Sequence, residues 1–125
     1  MQNQRVKFRF ILSGAVANLN DIVNMLGAEI TQIYGGVTIS SGTGFWISDG
    51  NETKTLYTGK LFDEEAIIID LTILPEDEKS LLPNITRIFK NIKKQFDTPW
   101  KDVHTERSMV EALHFDLDKD ASTST

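Results

Sequence analysis

Residues 66–74 read Ala66-Ile67-Ile68-Ile69-Asp70-Leu71-Thr72-Ile73-Leu74, the most apolar stretch of the chain. Pro75 closes it by removing the amide proton that a further ladder bond would need. The run falls far short of the roughly 20 residues that cross a bilayer, so it predicts the central strand of a buried sheet. Val6, Phe8, Phe10 and Leu12 alternate with Lys7, Arg9 and Ile11, the period-two pattern of a second strand with one buried face.

Helical spacing surrounds these strands. Asn18 or Asn20 can cap a helix whose apolar stripe is Leu19, Ile22, Val23, Leu26, Ile30 and Ile33, ending at Gly35-Gly36. Ser80 is placed to cap a second helix, with Pro83 in its first turn and Leu81, Leu82, Ile85, Ile88, Phe89, Ile92 and Phe96 on its stripe. Between the helices, Val37, Ile39, Thr43, Phe45 and Ile47 share one side of an extended segment, and Thr38, Ser40, Gly42, Gly44 and Trp46 share the other. Asp49-Gly50-Asn51 tolerates positive φ and predicts a reversal into a hairpin with return arm 53–58, followed by a loop or bend over 59–65. A last extended region is expected over 103–117, with Met109, Leu113, Phe115 and Leu117 on one face.

The order strand, helix, hairpin strands, central strand, helix, strand predicts an α+β fold. It is a ferredoxin-like split β-α-β sandwich, an antiparallel sheet with two helices on one face and an extended β-hairpin. The 125 residues suit one domain over 1–117, with a polar tail over 118–125 expected to fray. Thr38, Ser40, Trp46, Ile68 and Thr72 would lie on the uncovered face and suit packing against a second copy, predicting a homo-oligomer, dimer or trimer.

Composition removes whole reaction classes. The chain has no cysteine, which excludes disulfides, zinc-thiolate sites, iron–sulfur clusters and thiol nucleophiles. A formal net charge of −5 disfavours nucleic-acid binding. Met1-Gln2-Asn3-Gln4-Arg5 leads straight into a strand pattern without a signal-peptide core, so a cytoplasmic location and no membrane contact are expected.

Gly35-Gly36-Val37-Thr38-Ile39, followed by Gly42-Thr43-Gly44-Phe45-Trp46-Ile47-Ser48-Asp49-Gly50, resembles a family of small uncharacterised bacterial ferredoxin-like proteins that carry a glycine-aromatic-tryptophan strand leading into an Asp-Gly turn. The likeness extends more loosely through 67–73 and 85–96, and it implies a fold and no activity. Family members have a polar residue before the tryptophan and an arginine after it, where this chain has Phe45 and Ile47. More distantly, Leu56-Tyr57-Thr58-Gly59 and 67–75 with Glu76 and Asp77 are similar to the nitrogen-regulatory PII-like signalling proteins, at the segment leaving their effector loop. That resemblance implies a trimer binding an adenine nucleotide between subunits. The glycine-flanked basic loop of that family falls on Asp97-Thr98-Pro99-Trp100-Lys101-Asp102, where Lys101 can stand in for the basic residue and the glycines are missing.

Candidate chemistry is sparse. His104 and Glu106 fall on one face of the last strand beside Arg107, a pattern open to acid–base work or to a merely solvated edge strand. His114 shares the other face with Val110 and Ala112 and fits a packing role as well as a catalytic one. The acidic groups at 63–65 and at Asp116, Asp118 and Asp120 lack the glycine turn and closing glutamate of a calcium loop, so no metal and no cofactor are expected. Gly42 and Gly44 weaken a strand and mark a bulge or a close approach. With Trp46, Tyr57, Lys54 and Lys60 they can line a ligand pocket with an aromatic wall and a cation, or form an arm that embraces a neighbour. Arg87, Lys90, Lys93 and Lys94 make a basic outer stripe on the second helix, a solvated face or a surface for an acidic partner.

The resulting expectation is a non-enzymatic oligomeric binding module that recognises a small anionic ligand or a protein partner through its hairpin. One alternative is a cofactor-free enzyme of the dimeric α+β barrel type, in which His104 or His114 moves a proton inside an enclosed cavity. Another is an inhibitor or adaptor acting through its acidic surface.

Overall fold

The computed structural model describes residues 3–119. The chain forms β1 (Gln4–Ser13), α1 (Leu19–Tyr34), β2 (Thr38–Ile47), β3 (Leu61–Ile73), a 3-10 turn (Pro75–Asp77), α2 (Glu78–Phe96) and β4 (Val103–Glu111). The strands lie in the order β2-β3-β1-β4, every neighbouring pair antiparallel. This is the ferredoxin-like α+β arrangement, with β3 and β1 at the centre. Of the polar tail, residues 120–125 lie outside the described residues.

Alternation decides which side each strand buries. Val6, Phe8, Phe10 and Leu12 of β1 and Ile67, Ile69, Leu71 and Ile73 of β3 point toward the helices, where Ile22, Leu26 and Ile30 of α1 and Leu81, Ile85, Ile88, Phe89 and Ile92 of α2 meet them. Phe10 meets Phe89 edge to face at 5.7 Å, and Trp100, just past α2, extends the aromatic cluster at 6.4 Å from Phe89. Neither helix reaches the other face, which carries Thr38, Ser40, Trp46, Ile68 and Thr72 as expected, together with Lys7, Arg9, Asp70, His104 and Glu106.

Four expectations are corrected. The return arm of the hairpin is Leu61 onward, paired rung by rung with β2, and 53–58 is irregular. Residues 61–65, expected as loop, are therefore strand. The last strand ends at Glu111 instead of 117, because among the described residues nothing pairs with the segment beyond Ala112, whose N–H makes a final bond to the Asn3 carbonyl. The second helix starts at Glu78, and its interior holds Pro83. The 3-10 turn that Pro75 opens runs straight into it, so Ser80 bonds the Asp77 carbonyl from inside the first turn. Asn18 does precede α1, through its carbonyl and without a side-chain cap bond. Among the described residues no helix is long and apolar enough to cross a membrane.

Candidate functional site

The β1–β3 ladder stops at Ser13 opposite Ala66, while the β2–β3 ladder continues from Thr43 opposite Glu65 to Ile47 opposite Leu61. Five rungs therefore project past the sheet as a two-stranded ribbon. On one of its faces the rings of Trp46 and Phe62 stack at 4.2 Å and 13°, with the Lys60 ammonium 5.1 Å from the Phe62 centroid. On the other, Phe45 and Leu61 are 68% and 65% exposed. The ribbon thus carries apolar side chains on both of its faces, with those of Phe45 and Leu61 in solvent.

The ribbon tip is clasped by Asp49, which is buried. Its carboxylate accepts hydrogen bonds from the Lys54 ammonium at 2.8 Å and from the Thr58 and Gly59 amides at 3.1 Å each. The Lys54 bond, then the amide of Thr58, holds the Asp49 carboxyl below the usual carboxylate range. Ser48 adds two more bonds to Lys60 across the base, one to each backbone group. This clasp is why 53–58 closes a compact loop instead of pairing as a strand.

Gly44, Trp46 and Lys60 thus lie along the ribbon with Gly42 at its root, whereas Lys54 is engaged by Asp49 and Tyr57 sits in the clasped loop. At the ribbon's root is a cleft of about 260 Å³ lined by Gly14, Val16, Leu19, Ser41, Gly42, Thr43, Glu65, Ala66 and Ile67. Glu65 supplies the one charged side chain of that lining, and its carboxylate has no partner among the described residues. Sequence reasoning missed Glu65 by reading the acidic run as loop. Its offset from Ala66, at the head of the apolar strand, was the available signal.

The two ribbon glycines are not required by the chain around them. A Cβ at Gly42 would meet Ile68 Cδ1 at 3.8 Å and one at Gly44 would meet the Glu64 carbonyl at 3.8 Å, both ordinary contacts. Neither residue has positive φ.

The histidines lie elsewhere. His104 Nε2 and Glu106 Oε2 are 2.8 Å apart on the uncovered face, both side chains more than half exposed. Beside them Arg9 grips Asp70 through two bonds of 2.8 and 3.1 Å, and this hydrogen bonding holds Asp70 below the usual carboxylate range. His114 lines an open groove of about 460 Å³ with Arg5, Tyr34, Thr38, Asp70 and Thr72. Neither histidine occupies an enclosed cavity between sheet and helices, the setting that histidine proton transfer in this fold was expected to need. Among the described residues no three metal-ligating side chains gather to hold an ion.

No family model matches the sequence, and no curated protein does. Solved structures do share its fold. A phage SAM lyase in complex with S-methyl-5′-thioadenosine aligns with 86% of this chain and 90% of its own at TM-score 0.51 and 13% identity. The same kind of enzyme in its apo state covers 91% and 94% at TM-score 0.52 and 14% identity. The GlnK–ATP complex of B. subtilis, a PII-like protein, is similar over 85% of each chain at TM-score 0.46 and 14% identity. The class that fold and site define is a ferredoxin-like α+β domain with a free sheet face and a projecting β-ribbon.

Proposed function

We propose that this chain is a small-ligand-binding module that works as a homo-oligomer, with the cleft at the ribbon root as ligand site and the ribbon reaching onto a second copy. The observation that carries this reading is the pair Gly42 and Gly44. Glycine weakens a strand, nothing inside the chain demands it at these positions, and the side chains that both lack would stand on the uncovered face beside Ile68 and Trp46. The demand then comes from outside, as the close approach of a ligand or of another backbone. Because the charged group of the lining is the Glu65 carboxylate, the ligand that suits the cleft brings a positive centre or hydrogen-bond donors, and the anion suggested by the hairpin lysines suits it less. Native mass spectrometry of the full chain, alone and with S-methyl-5′-thioadenosine or ATP, tests this. A multimer that takes up one of the two supports it, and a monomer that retains neither overturns it.

A second reading is catalysis. It is favoured by the same carboxylate, set in a cleft of a fold shared with an enzyme that acts on SAM, whose sulfonium is positively charged. Incubation with SAM and chromatography for S-methyl-5′-thioadenosine decides it. Absence of product at high protein concentration removes the reading.

A further inference from the structure

Beyond β4, Leu113, Phe115 and Leu117 are 62%, 66% and 89% exposed, spaced by two in a segment that ends in a turn, where the Asp116 carbonyl and Oδ1 accept from the Lys119 and Asp118 amides. Three apolar side chains so close together, all in solvent, are a surface made for contact. At the opposite end of the sheet a small apolar slot of about 150 Å³ lies between Leu12, Phe89, Trp100 and Val103, with Lys90 and Lys101 at its rim. Lys93, also at the rim, donates to the Trp100 carbonyl, whereas Lys90 and Lys101 have no partner among the described residues. A cavity of roughly this size accepts a benzene ring. Slot and segment therefore match in size, polarity and charge: a ring followed by carboxylates, and an apolar socket edged by ammonium groups.

The match cannot be made within one chain. Val103 and Leu12, at the slot, and Ala112, at the root of the segment, stand at opposite ends of β4. Eight residue steps separate Val103 from Glu111, about 26 Å at ~3.3 Å each. Phe115 is three residues past Ala112 and reaches at most ~11 Å, and Leu117 at most ~18 Å.

We infer that the segment 113–118 of one copy docks in the α2–β4 slot of the next, Phe115 filling the socket and Asp116 and Asp118 facing Lys90 and Lys101. The contact is head-to-tail, so copies close into a ring where the rotation allows it. The inference rests on the oligomer proposed above and gives it an interface. Light-scattering mass and dilution experiments on full-length chain test it. Phe115→Ser, Asp116→Lys with Asp118→Lys, and Lys90→Glu with Lys101→Glu are each expected to weaken self-association roughly tenfold or more. All four charge reversals together are expected to recover most of it, which loss by misfolding would not do. An oligomer unmoved by Phe115→Ser, or a fourfold reversal no better than either pair, overturns this contact alone. A full chain monomeric at about 100 µM, where mass action favours association, overturns the contact and the oligomer with it.

Discussion

The Gly59 amide donates to Asp49 Oδ1 at 3.1 Å, and the position its missing Cβ would take lies 2.8 Å from that same oxygen and 2.2 Å from Ser48 Oγ. The clasp closes only because residue 59 has no side chain. Gly59→Ala is expected to force Ser48 and Asp49 apart and to cost about 1–3 kcal/mol, the range for overpacking a filled site. Thermal unfolding will show the loss, and amide exchange will place it in residues 48–60.

Acid should open the same clasp. Asp49, Asp70 and Glu78 are all held below the usual carboxylate range, by hydrogen bonds from Lys54, Arg9 and Arg107 respectively. A carboxyl whose native value lies below its unfolded one stabilises fully above the unfolded value, and that contribution is lost as pH falls through the native value. Urea midpoints should therefore be flat from neutral pH down to about 5 and fall below about 4, near the ordinary carboxylate value. Asp49→Asn should flatten the fall and leave the neutral-pH midpoint lower.

How much of this was legible follows burial. β1 and the inner half of β3 read directly from sequence because one face meets the helices, and Val6, Phe8, Phe10 and Leu12 show it as strict alternation. The outer half of β3, from Leu61 to Glu65, has solvent on both sides and so carries no pattern, which is why Asp63-Glu64-Glu65 read as loop. The clasp was invisible because it joins residues nine and ten apart through one carboxylate, a relationship that no periodicity records. Gly42 and Gly44 did point to the ribbon. What sequence could not supply was that Glu65 pairs with Thr43 between them and turns its side chain to the helix side of the ribbon root.

Folding and assembly should separate by mutation. Leu71 is fully buried opposite Phe8, and Leu71→Ala is expected to cost about 2–5 kcal/mol in urea unfolding. Trp46 is half exposed, so Trp46→Ala should change the stability of a single chain by less than about 1 kcal/mol. The same variant should reduce the oligomer mass seen by light scattering. Equal effects from both substitutions would count against the ribbon as an arm.

Glu65→Gln keeps the shape of the cleft and removes its charge. With no partner to lose, the side chain can change without loss of stability, and melting should be unaltered. Affinity for a donor-bearing or positively charged ligand should drop by roughly tenfold, the equivalent of ~1.4 kcal/mol. Calorimetric titration with S-methyl-5′-thioadenosine, wild type beside variant, measures this.

Arg9 and Asp70 face each other across the two central strands, on the side away from Phe8 and Phe10. Shifting β3 by a single residue against β1 would turn Asp70 inward among those rings, severed from its guanidinium, at a cost of several kcal/mol. Apolar Ile68 and Ile69 are nearly interchangeable in such a slip, and Asp70 is not. The pair thus serves as a threading mark: a misaligned pairing of β1 with β3 is penalised by the one charged residue beside the isoleucine run, which cannot tolerate the wrong side.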